Sequence, residues 1–305
     1  MGRIAVDHRA PRAWAALALV ALCLGCHLPG AHNPFSRSLQ ASRQLSQRGV
    51  AAMERGDWQQ AEEYLGQAVR TCGSDADARR QFAETLWHRG LEQEAIDQLE
   101  ICAQSPDADA ALHVSIAEKH LAMGQSAAAL QSAQRAVDRD PKSPAAWAIR
   151  ARVRHAQGRL REALADYHRA LGLAPSDRDI SLEIAELYRQ LNEPQRALAA
   201  LDALSESYSP GEEPQQVLYL QGLAYKALAR YDEAAESFSL AAERGRPTPE
   251  ILAGLAEAHL LAGRPVEAAA AAQEALALDP RNRPSRQVLD EAQQLAARAG
   301  ATSVQ

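Results

Sequence analysis

Aromatic residues are few: three Phe, four Trp and seven Tyr, 5% of 305 residues. β-Branched side chains are also scarce, which excludes a sandwich or a barrel, since both depend on these residue types. Glycine and proline stay far below the levels of collagen or low-complexity chains, so most of the sequence should fold. There is no basic excess. With 33 basic and 39 acidic residues and a net charge of −6, a dedicated nucleic-acid binder is not expected. There is no phosphate loop, no dinucleotide glycine fingerprint and no His-Glu-x-x-His, and no Ser/His/Asp set stands in a strand–turn–helix context. Adjacent acids such as Glu62-Glu63 and Glu212-Glu213 read as solvated. His113 and His120, two turns apart on one helix, read as surface or partly packed rather than as metal ligands. No catalysis, metal or cofactor is therefore expected.

What the chain has instead is small residues: 65 alanines and 17 glycines. Ala, Leu, Arg, Gln and Glu dominate, and these are good helix formers. Alanine buries little area, so a single thick core is not expected. The small residues fall in phase. Ala61, Ala95, Ala129, Ala163 and Ala197 are 34 apart, and Ala234 and Ala268 continue the series after one interval of 37. With repeats starting at 42, 76, 110, 144, 178, 215 and 249, this series is position 20. Position 8 is Gly49, Ala83, Ala117, Ala151, Ala185, Gly222 and Ala256. Position 15 is mostly glycine, with Asn192 and Ala229, which suits the left-handed residue that ends a helix. Pro106, Pro141, Pro175, Pro210, Pro247 and Pro280 fall at or within one residue of position 32 and stop the second helix. The unit is helix, tight turn, helix, stop.

These marks resemble the tetratricopeptide repeat, with a large residue at 4 (Trp147), aromatics at 11 (Tyr188, Tyr225) and at 24 (Tyr167, Phe238). The resemblance covers residues 42–282 and implies an all-α fold: a right-handed α-solenoid of repeats 42–75, 76–109, 110–143, 144–177, 178–211, 215–248 and 249–282. A capping helix over 284–299, ended by Gly300, should close it within 283–305. His120, Arg154 and His259 depart from the pattern at position 11, as do Ala133 and Ala272 at 24, and those sites should be looser or bent. The segment Pro210–Pro214 should form a widened loop or kink. Each repeat buries its apolar stripe only against its neighbours.

The N-terminus reads as a targeting segment. Arg3, Arg9 and Arg12 precede the uncharged apolar run 13–26, which is short for a membrane span. The run ends in a sequence that resembles the bacterial lipobox: Cys26 stands at the lipidated position and Gly25 at the small residue before it, with Cys23 where Leu is usual. Residues 1–26 are expected to be a lipoprotein signal, with an uncleaved anchor or simple secretion as alternatives. All three place the rest of the chain outside the cytoplasm. Residues 27–41, with two Pro and a Gly, read as a tether. Cys72 and Cys102 remain in the exported part. Cys102 reads as a small buried residue, and a bridge between the two is open, since sequence does not give their separation.

In the resembled family helix A lines the concave face, with positions 2, 5, 9 and 12 inward. The resemblance implies partner contacts at Arg80, Val114, Leu182 and Tyr219 (position 5), at Glu84, Glu118, Arg152, Glu186 and Leu223 (position 9), and at Trp87, Leu121 and Arg189 (position 12). Aromatics and Arg often anchor interfaces. The family's carboxylate clamp uses Lys at 5 and Asn at 9. The first repeat has Ser46 and Val50, and no repeat has the pair, so binding of a chaperone tail is not expected. The expected function is a non-enzymatic scaffold of the bacterial envelope, lipid-anchored through Cys26 and binding protein partners. The alternative is an accessory subunit that recognises glycan for a catalytic partner.

Overall fold

The computed structural model describes residues 34–302. Among them are fifteen α-helices and no strand. The helices are α1 (Pro34–Glu54), α2 (Trp58–Thr71), α3 (Ala76–His88), α4 (Glu92–Ala103), α5 (Ala110–Ala122), α6 (Ser126–Arg139), α7 (Pro144–Ala156), α8 (Leu160–Leu173), α9 (Arg178–Gln190), α10 (Pro194–Ser205), α11 (Gln215–Ala227), α12 (Tyr231–Arg244), α13 (Pro249–Leu261), α14 (Pro265–Leu278) and α15 (Arg283–Thr302). Odd-numbered helices up to α13 are helix A of a repeat, and even-numbered ones are helix B. From α3 to α13, every helix A begins at the first position of its repeat.

Two ends differ from expectation. Residues 34–41, read as part of a tether, belong to α1. Proline is tolerated in the first turn of a helix, nothing from Phe35 to Ala41 breaks one, and Ser42 holds the chain by a buried 2.7 Å bond to Asp75. At the other end α15 continues through Gly300 to Thr302, since one helical glycine costs only about 1 kcal/mol. The signal segment, the lipidation position Cys26 and residues 27–33 of the tether lie outside the described residues. Among the described residues, no helix is long and apolar enough to cross a membrane.

Sequence marks and local structure coincide. Position 15 is left-handed in all seven repeats, with φ between 57° and 77° at Gly56, Gly90, Gly124, Gly158, Asn192, Ala229 and Gly263. The last residue of most repeats caps the next helix A: Asp75, Asp109, Ser143, Asp177 and Thr248 accept from the backbone N–H three residues on. Such a cap is worth about 1 kcal/mol. Pro214 provides no side-chain cap for α11, and the connection before it, residues 206–214, is the widened loop expected there.

All fourteen small residues at positions 8 and 20 are buried. A Cβ on Gly49 would stand 2.5 Å from Leu65, and one on Gly222 would stand 2.7 Å from Phe238. Glycine at position 8 thus admits a large residue at position 24. The departures at position 11 remain helical; His120 and Arg154 are bonded, while the buried Nδ1 of His259 is not. His120 Nδ1 meets Gln125 Oε1 at 2.6 Å, and Arg154 meets Asp166 at 2.6 Å. Cys72 and Cys102 are buried free thiols, and burial pushes the Cys102 thiol up.

The described residues divide into two compact blocks, one up to Cys102 and one from Ala103 onward. In the first, α1 packs on α2, α2 on α3, and α1 reaches α3. In the second, each helix A packs on its helix B, and each helix B on the next helix A. There is no central core but a series of small ones, such as Ala148, Ala151, Tyr167, Ile180 and Ile184, followed by Ala185, Leu201, Val217 and Leu220. Consecutive A helices of this block come close at every step except one: α7 and α9 stand further apart. Tyr167 of α8 packs in one cluster with residues of both.

Candidate functional site

None of the twelve expected contact residues is buried. Three of them, Arg80, Glu84 and Trp87, lie on α3 in the first block, each half-buried, and Glu84 sits 3.3 Å from His88. The other nine lie in the second block, on α5, α7, α9 and α11.

Their charged members are already engaged with one another. Arg152 Nη2 lies 3.3 Å from Glu118 Oε1, joining position 9 of adjacent repeats. Both side chains are about half exposed, so the pair is weak and easily exchanged for a partner. Arg189 grips Glu186 with two bonds, of 2.6 and 2.8 Å, and Gln190 adds a third at 2.9 Å. Burial works against charge on Glu186, but the bonds from Arg189 and Gln190 outweigh it and hold the carboxyl below the usual range.

The apolar members divide in role. Val114 and Leu121 pack against the small core formed by α5, α6 and α7. Tyr219 is tilted against Phe238, with ring centroids 5.8 Å apart, and Leu223 packs beside it. Burial raises the pKa of the Tyr219 phenol. These two residues are partly structural, because Phe238 needs a cover where Gly222 provides none.

Leu182 and Arg152 line a cleft of about 690 Å³ with Pro144, Ala145, Ala148, Ile180, Asp177, Asp179, Glu183, Tyr167 and Gln216. The cleft fills the gap between α7 and α9 and extends to the start of α11. Its walls include positions 2, 5 and 9 of helix A, which the repeat pattern marks as inward, together with positions 1, 3 and 6. Its volume lies in the range of about 300–1,000 Å³ usual for ligand sites.

Nine of these lining residues were absent from the expected set, Asp179, Gln216, Tyr167 and Glu183 among them. Asp179 and Gln216 stand at position 2. Tyr167, at position 24, was read only as filler. Glu183, at position 6, had a sequence signal: the other repeats place Gln47, Gln81, Ser115, Ile149, Leu220 and Gly254 there, none of them charged.

A second cleft, of about 470 Å³, lies between α8, α9 and α10. Alanines 199, 200 and 203 leave it open. Its polar groups are already bonded: His168 to the Tyr188 hydroxyl at 3.0 Å, and Arg178 to Ser207 Oγ at 3.1 Å. Neither cleft brings together the nucleophile, base and orienting group that covalent catalysis requires.

Comparison with known proteins accords with this geometry. Sequence models of the tetratricopeptide repeat match residues 47–109, 115–178 and 219–283, and a further one matches 154–218. The chain is similar in structure to a tetratricopeptide repeat protein from Parabacteroides merdae, with 14% identity, a TM-score of 0.60, and coverage of 83% of this chain and 99% of the other. It is similar to the C-terminal part of a repeat protein from Cytophaga hutchinsonii, with 17% identity, a TM-score of 0.64, and coverage of 79% and 98%. YrrB, described as a TPR protein with an unusual peptide-binding site, has 15% identity and a TM-score of 0.54, with coverage of 62% and 96%. No curated protein matches the chain.

Proposed function

The chain belongs to the tetratricopeptide repeat family, and from that premise we propose that it is a non-catalytic adaptor holding an extended polypeptide along the A-helix face of α7, α9 and α11. Tetratricopeptide repeats are protein-interaction modules. The observation that carries the reading here is the open cleft on that face, with apolar walls from Ala148, Ile180 and Leu182 beside exchangeable surface charges. A groove that mixes apolar anchors with charge suits side chains of alternating character. The peptide-binding site named for YrrB is in keeping with this.

We further propose that the chain works in the bacterial envelope, held to a membrane by a lipid on Cys26. The basic stretch, the apolar run and the Gly25-Cys26 pair support that reading. It is tested by fractionation of Cys26→Ser, which should move from the membrane pellet to the soluble fraction. Retention in the pellet would remove the lipid anchor from the proposal.

The groove reading is tested with a photo-crosslinking residue placed at Leu182 or, as a control, at the exposed Ala165 of α8. In native membranes the probe at 182 should give discrete adducts with foreign polypeptides, and the probe at 165 should not. Equal labelling at both positions, or none at either, contradicts the proposal.

A further inference from the structure

We propose that the cleft between α8, α9 and α10 is a second docking site, which takes an extended acidic segment of a partner polypeptide. One apolar side chain enters the cleft, and a carboxylate meets a guanidinium at each end. The helix A residues that line it, Arg178, Ser181, Ile184 and Tyr188, are positions 1, 4, 7 and 11. None is an inward position, so the site lies on the other side of α9 from the groove and does not depend on the groove reading.

The first observation is a cavity made by missing side chains. Ala199, Ala200 and Ala203 of α10 stand at positions 22, 23 and 26 and leave about 470 Å³ open. No other repeat has alanine at all three. Position 26 holds Gln67, Ile101, Arg135, Arg169, Leu240 and Glu274 elsewhere. Leu171, Ile184 and Leu204 give the cleft an apolar lining, which favours an apolar side chain over water.

The second is charge. The chain carries more acid than base, yet no carboxylate lines this cleft, and Arg178 and Arg196 do. Arg178 donates from Nε and Nη2 to Ser207, and its guanidinium stacks over the Tyr208 ring at 4.2 Å. Two of its five donors are thus engaged. Among the described residues no carboxylate pairs with it; its neighbours Asp177 and Asp179 line the cleft between α7 and α9 instead. A guanidinium fixed in place but not neutralised is prepared for a carboxylate. Arg196 pairs with Glu193 at 2.8 Å on an exposed surface, an interaction weak enough to exchange. Burial lowers the His168 pKa, so that imidazole adds no charge at neutral pH.

The third is spacing. Arg178 opens α9 and lies beside Ser207, just past the end of α10. Arg196 stands in the first turn of α10, over the Tyr188 ring near the end of α9. The two cations therefore bracket the cleft, separated by the stretch of α9 from Arg178 to Tyr188, about 15 Å. An extended peptide covers that distance in about four to five residues. A fatty acid, with one carboxylate, meets only one of the two cations.

The test uses the full chain and fluorescein-labelled peptides with amidated C-termini, read by fluorescence anisotropy. The probe pool is Glu-x-Leu-x-Glu, with x drawn from uncharged residues. One comparison pool replaces both glutamates by glutamine, and another replaces leucine by serine. The probe pool should bind about tenfold tighter than the glutamine pool, and the gap should close as salt rises. Serine in place of leucine should weaken binding. Arg178→Gln combined with Arg196→Gln should abolish the advantage of the glutamate pool and leave binding of the glutamine pool unchanged. Ala203→Leu, which gives α10 the residue that α12 carries as Leu240, should fill the cleft and weaken both leucine pools with the helical melt unchanged. Equal binding of the glutamate and glutamine pools, or no binding of either, overturns the proposal. So does a glutamate preference that survives the double arginine variant, because it places the cations elsewhere, or full binding by folded Ala203→Leu. Each of these outcomes leaves the groove reading standing, since the probe at Leu182 tests it separately.

Discussion

At the scale of single residues, position 15 shows how far one backbone angle constrains sequence. Five repeats place glycine there, and Asn192 tolerates the left-handed region through its short polar side chain. Ala229 has neither advantage and sits at φ 58°. Replacing it with glycine should raise stability by about 1 kcal/mol, because the left-handed penalty outweighs the added freedom of the unfolded chain. A urea midpoint that falls instead would show that the turn is not strained. Gly222 is the opposite case. Its missing Cβ is occupied by the Phe238 ring, so Gly222→Ala should destabilise by about 1–3 kcal/mol through overpacking, despite alanine's better helix propensity. The φ signal was legible in the sequence, because glycine at a fixed phase has few other causes. The pairing of Gly222 with Phe238 was not, because it depends on how closely two helices approach.

At the scale of helices, Arg154 was expected to loosen its repeat, since it stands where the family pattern has an aromatic. The structure gives it a partner. Asp166 of α8, 3% exposed, takes two bonds from Arg150 and one from Arg154, and Gln134 of α6 completes Arg150 at 2.7 Å. The network ties α6, α7 and α8 together where an aromatic would have filled space. Asp166→Asn leaves Arg150 without a carboxylate and Arg154 with only Glu162, at 3.7 Å, and should cost about 3–5 kcal/mol. Glu233→Gln, in an exposed pair with Arg230 outside this network, serves as the control and should change little. If both variants melt alike, the network contributes packing alone. The aspartate could be read off the sequence, but its burial could not, because the exposure of position 23 depends on how α8 packs against α7.

At the scale of the molecule, three histidines in three different repeats share one property. Burial lowers the pKa of His113, His168 and His259, with Arg135 and Arg139 adding to it at His113 and Arg264 at His259. The folded state therefore favours the neutral form, while the unfolded chain titrates near 6.5. Their contribution to stability is complete above about pH 6.5 and is lost as the pH falls through that value toward the folded pKa. The melting temperature should drop between pH 7.5 and 5.5, and the triple His→Gln variant should show a smaller drop. Equal drops in the two proteins would assign the effect to other groups.

The helix order, the seven-fold phase, the fourteen small contacts and the turn at position 15 were all written in the linear sequence. Each is a local rule repeated every 34 residues, and repetition makes a local rule visible. The helical start of α1 escaped because one proline and a nearby glycine look alike whether they end a tether or open a helix. The accessible face was legible as well, since phase alone says which positions a helix turns outward. What phase could not say is which of those residues are already engaged. Tyr219 and Leu223 cover Phe238, Glu186 is held by Arg189, and the open space lies instead between α7 and α9. There Tyr167 packs with residues of both helices, which come less close than at the other steps of the block, a matter of packing distance rather than of period. The Tyr167 phenol and the Glu183 carboxylate meet only in three dimensions, because they come from positions 24 and 6 of two successive repeats.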